Sequence, residues 1–244
     1  MLFRRRIEIR AQPGNEIRAA LEDDFHHFRV SIRHDFETLT EVHGWAVRFP
    51  YDACPSAAHQ LNDLLDMPLS EIAHSVNRQT DARLQCTHLL DLAGLAIAAA
   101  AADTQQRLYE VAIPRRVDGV TNPTLWRDGE LYLSWNIQST QIVAPPLYAG
   151  TDLNHGMAGW AIRTLPVDEA EAALILRRCT IISRGREYDL DAKEHAAETG
   201  LCYAQQPIRA KYARRMLGST LDFGAHQELL CATDKAWLNG KEDN

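Results

Sequence analysis

The sequence lacks the motifs of the common nucleotide-binding and hydrolase classes. It has no P-loop, no GxGxxG and no GxSxG segment, which argues against nucleotide binding and against a serine hydrolase. It also lacks an excess of basic residues, because its net charge is -7, whereas a general nucleic-acid binder presents a basic face. We therefore expect no nucleotide or flavin cofactor and no nucleic-acid partner.

Long apolar runs and a cysteine framework are also missing. The most apolar run, residues 89–102, is interrupted by Asp91 and is shorter than the roughly 20 residues that cross a bilayer. The first residues, MLFRRRIEIR, have no apolar segment after the arginines, unlike a secretory signal. Five cysteines, an odd number, in 244 residues do not suggest paired disulfides. These features predict a cytoplasmic protein with free or metal-bound thiols and no membrane partner.

The first part of the chain alternates as strands and then changes to helical spacing. Alternation predicts strands over 3–10, 27–34 and 39–49, since successive side chains of a strand point to opposite faces. Residues 16–23 could form a strand or a helix, and we favour a strand because a meander follows. Helical spacing follows from Pro55, a short helix opens at Ser70, and a long, nearly all-apolar helix covers about 86–103, as expected for a buried helix. The predicted fold class is α+β, an antiparallel meander packed by helices.

The second part is β-rich and then helical. Strand patterns cover 108–117, 124–126 and 131–137, and residues 143–159 are expected to form a long loop. Helices are predicted over 167–182, 191–199 and 208–217, with a weak one over 225–238. We divide the chain into segments 1–104, 105–165 and 166–244 that pack as one compact body. A homo-oligomer is left open.

Two cysteines at predicted helix starts are the first candidates for a functional site. The dipole and free N–H groups of a helix start stabilise a thiolate, so Cys54 and Cys86 suit metal binding or nucleophilic attack. The alternative is that both are small buried hydrophobic residues. The other cysteines, at 179, 202 and 231, have no partner pattern and are expected to be structural.

Histidines and carboxylates near these cysteines complete the candidate set. His26 and His27 are adjacent on a strand, so at most one imidazole enters a shared site. His88 lies one turn before Asp91, which is placed to orient the imidazole. Asp23 and Asp24 are ligands or turn carboxylates. The metal-ligand candidates are Asp24, His26, Cys54 and Cys86, and the catalytic candidates are His27, His88, Asp91 and His155.

Aromatic and amide side chains of the middle segment are candidates for a substrate pocket. Amphipathic aromatic rings are suited to lining a small-molecule site. The alternative is an aromatic-rich β core. The candidate substrate-binding residues are Trp126, Trp135, Tyr148, Asn154 and Trp160. The basic clusters at 4–6 and 209–215 are interpreted as a solvated strand end and a solvated helix face.

Two resemblances rest on these residues. The stretches EIRAALEDDFHHFRV, RFPYDACPSAAHQLNDLLDMPLSE and ARLQCTHLLDLAGLA resemble an uncharacterised bacterial family, domain of unknown function 2889, over most of the chain. That resemblance implies no activity. The first 105 residues are also similar to the U-type iron–sulfur scaffold proteins, which bind zinc or nascent clusters through three cysteines and an aspartate. Cys54 and Cys86 match two of those cysteines.

The scaffold resemblance implies a mixed site. The remaining scaffold ligands would fall near Asp24, His26 and His27, where this chain has no cysteine. A mixed Cys/His/Asp set suits Zn²⁺ or Fe²⁺ better than cluster assembly.

These observations lead to two main hypotheses. The first is a bacterial enzyme that acts on a small aromatic or hydroxylated molecule by a lyase or hydrolytic step, without an organic cofactor and with zinc or iron assistance at an open coordination position. The alternative is a metal or iron–sulfur carrier or sensor without turnover. The remaining hypothesis is a protein that binds a ligand without metal and in which both cysteines are simply buried.

Overall fold

The computed structural model describes residues 2–241, and its main feature is an antiparallel sheet. The chain forms ten strands within that range: β1 (Leu2–Gln12), β2 (Glu16–Asp23), β3 (His27–His34), β4 (Leu39–Arg48), β5 (Gln106–Pro114), β6 (Val120–Thr121), β7 (Thr124–Arg127), β8 (Glu130–Ser134), β9 (Asn136–Gln138) and β10 (Gln141–Ala144). The seven-stranded sheet has the order β4-β3-β2-β1-β5-β7-β8, and a smaller sheet has the order β10-β9-β6.

The helices of the described residues are mostly short. The α-helices are α1 (Val76–Gln79), α2 (Thr87–Ala101), α3 (Met157–Thr164), α4 (Val167–Ile182), α5 (Pro207–Ala210) and α6 (Lys235–Leu238). The 3-10 helices cover Pro55–Leu64, Ala73–Ser75, Ser183–Glu187, Tyr203–Gln205, Gln227–Leu229 and Ala232–Asp234. None of the helices from residue 2 to residue 241 is long and apolar enough to cross a bilayer.

This architecture confirms the predicted α+β class, with the antiparallel meander of the first four strands. The long helices α2 and α4 are also where the sequence predicts them. The strand β5 belongs to the second predicted segment but pairs with β1 of the first. One hydrophobic core includes Leu89, Ile137 and Leu176, so all three predicted segments contribute to it.

Several predicted local structures are wrong. Residues 55–64 form a 3-10 helix rather than an α-helix, residues 191–199 form no helix, and α3 begins inside the expected loop 143–159. The helix expected over 208–217 is limited to the single turn of α5. Its continuation bonds elsewhere, because Arg214 and Arg215 make bridges to His195 and Tyr51. The segment expected to be weakly helical, 225–238, consists of short turns and α6.

The two faces of the large sheet are covered differently. The inner face of β1, with Phe3, Ile7 and Ile9, is buried in the core that also contains residues of α2 and α4. The C-terminal segment lies on the other face, where Trp237 packs with Ala20 of β2. The site described next is on the inner face, at the end of the sheet where β2 turns into β3.

Candidate active site

The turn between β2 and β3 positions the candidate site. The Asp23 N–H donates to the His26 carbonyl at 2.8 Å, and Asp23 Oδ1 accepts the backbone N–H groups of Phe25 at 2.7 Å and His26 at 2.8 Å. An aspartate commonly fixes a turn in this way. Arg48 holds the turn from outside by donating to the carbonyls of Asp23, at 2.5 Å, and Asp24, at 3.2 Å.

A buried ion pair joins this turn to β1. Arg5 lies opposite Asp23 in the strand register, and Arg5 Nε donates to Asp23 Oδ2 at 2.8 Å, with Nη2 bonded to the same oxygen. The side chains are 3% and 0% exposed. Burial alone would raise the pKa of Asp23, but the Arg5 and His26 side chains lower it well below its usual range. The interpretation of residues 4–6 as a solvated strand end is therefore wrong for Arg5.

His26 is bonded to the same carboxylate. Its Nδ1 lies 3.1 Å from Asp23 Oδ1, and its side chain is 12% exposed. Burial lowers the pKa of His26, and the charges of Arg5 and Arg48 act in the same direction, against Asp23. With Nδ1–H donating to Asp23, the neutral imidazole keeps the lone pair of Nε2 as an acceptor.

His88, in the first turn of α2, stacks on His26. The ring centroids are 3.8 Å apart and the planes differ by 28°. Phe28 is also stacked on His88, at 5.7 Å and 9°. Burial lowers the pKa of His88 well below its ordinary value, and the charges of His26 and Arg5 add to this. Its Nε2 is buried without a hydrogen-bond partner in the described part of the chain, and such an atom is rare in a folded protein.

Asp91 does not have the role expected from its spacing to His88. Its carboxylate accepts Arg178 Nε at 2.8 Å and so joins α2 to α4. The ion pair is partly exposed. Arg178 is therefore the partner that this carboxylate requires. His88 forms no hydrogen bond to Asp91. The prediction that Asp91 orients the His88 imidazole is wrong.

A cavity lies beside these groups, between α2, α4 and residues 72–74. Its volume is about 70 Å³, and Arg5 forms part of its wall. Most of the wall is aliphatic. The polar wall residues are Arg5, His74, Asp91, Glu171, Arg177 and Arg178. Arg5 therefore contacts both the cavity and the carboxylate that holds His26.

The four metal ligands expected from the sequence do not converge in one group, although Cys54 and Cys86 lie close enough for their charges to interact. Two groups of three potential ligand atoms lie within 4.8 Å of one another in residues 2–241, and neither includes Asp24, Cys54 or Cys86. Asp24 accepts the Phe223 N–H at 3.3 Å on the outer side of the turn, and burial raises its pKa to about 7. Only His26 of the four belongs to either group.

The two cysteines are buried thiols. Burial raises the pKa of Cys86 to about 12, although the backbone N–H groups of His88 and Leu89 act to lower it. Burial also raises the pKa of Cys54. The helix start thus stabilises the thiolate, as expected, but the loss of solvation is larger. Burial therefore disfavours the thiolate at both positions.

The arrangement of Asp23, His26 and His88, the first group, does not fit a metal ion. The Asp23 oxygens are already occupied by Arg5, by His26 and by backbone N–H groups, and a carboxylate has about four lone-pair directions in all. Imidazoles stacked this closely cannot both direct an in-plane lone pair at an ion roughly 2.1 Å from each nitrogen without rotating.

The second group lies on the other face of the sheet. It consists of Glu22, Cys231 and Asp234. His27 Nε2 lies 2.8 Å from Asp234 Oδ2, and Arg29 donates to Asp234 Oδ1 at 2.6 Å. Burial raises the pKa of Cys231 well above its ordinary value. Arg29 and Arg48 therefore already pair with the Asp234 and Glu22 carboxylates. His27, expected to be catalytic, is bonded to Asp234 and does not belong to the His26 site.

The remaining expected residues lie away from the cavity wall. Trp135 packs against Tyr148, which packs against Trp160, and Trp135 is fully buried, so these rings fill space as the aromatic-core alternative expects. Trp126 pairs with Leu131 in the sheet. Asn154 and His155 are exposed in a turn held by Asp152.

The residues that sequence reasoning missed are mainly arginines. Arg5 shares strand parity with Phe3 and Ile7, and this signal places its charge on the buried face, where it needs a partner. For Asp23 the sequence suggests a ligand or a turn carboxylate, as for Asp24, and does not indicate its bond to the His26 ring. Arg177 and Arg178 give no comparable signal, because their helix pattern is compatible with solvent.

Comparison with known proteins gives one match. No curated protein and no solved structure matches the chain. The match to a family model covers residues 6–102, which is shorter than expected from the sequence. It includes Asp23, His26 and His88 and begins one residue after Arg5. Residues 6–102 of this chain match the model of the family described as protein of unknown function (DUF2889).

Proposed function

We propose that the protein is an enzyme that uses His26 as a general base and acid on a small molecule, in a lyase or hydrolytic reaction without an organic cofactor. The observation that supports this most is the Asp23–His26 pair stacked on His88. A histidine oriented by a buried carboxylate, with its second nitrogen free, is the usual arrangement for proton transfer at neutral pH.

The proposed proton transfer uses His26 Nε2. This nitrogen takes a proton from the substrate or from a water molecule, and the resulting imidazolium is stabilised by the Asp23 carboxylate at 3.1 Å. The same nitrogen then returns the proton to the leaving group. The buried Nε2 of His88, which has no partner in the described residues, is available for a hydrogen bond to a polar group of the substrate.

Zinc or iron assistance, an aromatic substrate and a bacterial source remain predictions. The carrier or sensor alternative needs a set of convergent donors, and the carboxylates of both groups of potential ligands are already engaged in other bonds. We therefore favour the enzyme. The assays are also run with added Zn²⁺, with added Fe²⁺ and with chelator. Turnover that depends on one of these metals would support the hypothesis of a metal-assisted reaction.

The proposal is tested by substrate screening with matched histidine variants. Wild type, His26→Gln and His59→Gln are incubated with a panel of small aromatic and aliphatic acids, esters and alcohols, and products are followed by NMR. His59 is exposed and controls for the loss of a histidine. We expect His26→Gln to lower turnover by about 10²–10⁴-fold and His59→Gln to leave it unchanged. Equal turnover by wild type and His26→Gln would contradict the proposal.

A further inference from the structure

We propose that the cavity beside Arg5 binds a small organic acid with an apolar body, and that Arg177 binds its carboxylate. This inference goes beyond the proposed function, because neither His26 nor His88 lines the cavity. The binding itself can be measured without any turnover.

The wall of the cavity favours a ligand that is apolar over most of its surface. It combines residues of α2, α4, β1 and the end of α3. The apolar wall residues are Ile7, Leu21, Ile72, Ala73, Leu95, Ile162, Leu165, Val167, Ala170, Leu174 and Ile175. A pocket with an aliphatic wall and a few polar groups on one side is typical of small-molecule sites.

The charges at the wall favour an anion. Arg5 is paired with Asp23, and Arg178 is paired with Asp91. Arg177 has no carboxylate within ion-pair distance in residues 2–241, and the bond it donates goes from Nε to the Leu153 carbonyl at 2.5 Å. Its terminal nitrogens are therefore left for a ligand.

Burial makes this unpaired charge significant. Arg177 is half-buried, and burial, followed by the charge of Arg178, lowers the pKa of its guanidinium. A cation in such surroundings is stabilised by an anion, and a guanidinium presents parallel N–H groups that match a carboxylate. Glu171 opposes this weakly, because burial raises its pKa and the Tyr109 hydroxyl already donates to it.

The size of the cavity limits the ligand. Its volume of about 70 Å³ is several times the roughly 10–15 Å³ that one water molecule needs. This volume suits a compact body, either a single aromatic ring or a short aliphatic chain. Benzoate and hexanoate represent the two possibilities, and benzamide is the neutral analogue of benzoate.

Calorimetric titration of the full-length protein tests the proposal. Benzoate, hexanoate and benzamide are titrated into wild type, Arg177→Gln and Arg177→Lys. Arg163→Gln is the matched control, because Arg163 is exposed on α3 and is absent from the wall of the cavity. We expect at least one of the two acids to bind wild type and benzamide to bind at least about tenfold more weakly, as for loss of a charge-assisted hydrogen bond.

The variants give the deciding comparison. Arg177→Gln is expected to weaken binding of the acid at least about tenfold, and Arg163→Gln to leave it unchanged. Arg177→Lys keeps the positive charge without the parallel N–H groups of the guanidinium, and we expect it to bind the acid with intermediate affinity. This variant also keeps the test valid if Arg177→Gln does not fold. Equal binding of the acid and benzamide, equal binding by all folded variants, or no binding of either acid would overturn the proposal.

The test also separates this proposal from the proposed function. His26→Gln is expected to bind the acid as wild type does, because His26 does not line the cavity. Binding of an acid would support the acid pocket even if the substrate screen finds no turnover. The absence of turnover in that screen would contradict only the His26 reaction. Turnover that depends on His26, without binding of either acid, would support the His26 reaction and contradict the acid pocket.

Discussion

The imidazoles of His26 and His88 share a buried space that disfavours the protonated form of both rings. Burial lowers both pKa values, the charge of His26 lowers that of His88 further, and Asp23 acts in the opposite direction on both. Arg5, already charged, also lowers both pKa values. We therefore expect both rings to be neutral at pH 7, which is the state that a general base requires.

The lowered pKa of His88 predicts a dependence of stability on pH. Below the unfolded pKa of about 6.5, the unfolded chain binds protons that folded His88 does not. The free energy of unfolding therefore falls as the pH decreases from about 6.5, with a slope of up to roughly 1.4 kcal/mol per pH unit for this one group. Replacement by leucine, His88→Leu, removes this contribution.

Denaturant unfolding of wild type and His88→Leu between pH 7 and pH 5 checks this. The free energy of unfolding should fall more in wild type than in His88→Leu. Asp24, whose burial raises its pKa to about 7, acts in the opposite direction, since its contribution increases as the pH falls. Its contribution is common to both proteins and cancels in the difference. Parallel pH profiles would contradict the assignment.

Strand parity would have predicted half of this site from the sequence. Arg5 alternates with Phe3 and Ile7, which places a cation on the buried face of β1, and the register brings it opposite Asp23. The stacking of His88 on His26 could not be predicted, because it depends on where α2 crosses the sheet. Cys54 and Cys86 lie at helix starts, as predicted. Their depth of burial, which disfavours the thiolate, could not be predicted because local sequence does not reveal it.

At the scale of elements, α2 and α4 are joined by the Asp91–Arg178 ion pair. Its nitrogen–oxygen distance is 2.8 Å, and both side chains are about three-quarters buried. We expect a coupling of about 0.5–1 kcal/mol, as for partly screened pairs. A double-mutant cycle with Asp91→Asn, Arg178→Gln and both together, measured by denaturant unfolding, gives this value. Additive effects would show that the pair contributes nothing to stability.

Close packing of α2 on residues 73–75 depends on Gly94. A Cβ atom at this position would lie 2.2 Å from the Ala73 carbonyl oxygen. In a solvent-exposed helix, alanine is about 1 kcal/mol more stabilising than glycine. Here the added Cβ of Gly94→Ala must move α2 away from Ala73. We expect a net loss of stability of about 1–3 kcal/mol, measured by thermal or denaturant unfolding. A more stable variant would contradict the close approach.

The elements themselves were predictable where hydrophobic spacing is strong. The alternation of β1 to β4 and the apolar run of α2 are local signals, and the fold follows them. The expected helix over 208–217 failed because its backbone bonds to residues distant in sequence, as the Arg214 N–H does with Asp52 at 2.9 Å. Such tertiary bonds leave no periodic pattern in the chain.

At the scale of the whole molecule, the C-terminal segment is held on the outer face of the sheet by Asp234. This fully buried carboxylate accepts Arg29 Nε at 2.6 Å and bonds to His27. Replacement by asparagine removes the negative charge between these groups. We expect Asp234→Asn to lower the free energy of unfolding by about 3 kcal/mol, as when one partner of a buried ion pair is lost.

Asp66→Asn is the matched control for that loss. Asp66 is exposed and has a positive φ, which asparagine tolerates well, so its replacement is expected to change stability by less than about 0.5 kcal/mol. Denaturant unfolding of both variants makes the comparison. If the two variants lose equal stability, the Asp234 network does not hold the C-terminal segment.

The measurement that tests the central claim most directly is the protonation state of His26 in the free protein. Long-range ¹H–¹⁵N NMR at pH 7 distinguishes the two neutral tautomers and the imidazolium, and the His26→Gln spectrum assigns the signals. We expect a neutral ring with its proton on Nδ1, bonded to Asp23, and an unprotonated Nε2. A proton on Nε2, or a cationic ring at pH 7, would contradict a role for His26 as the general base.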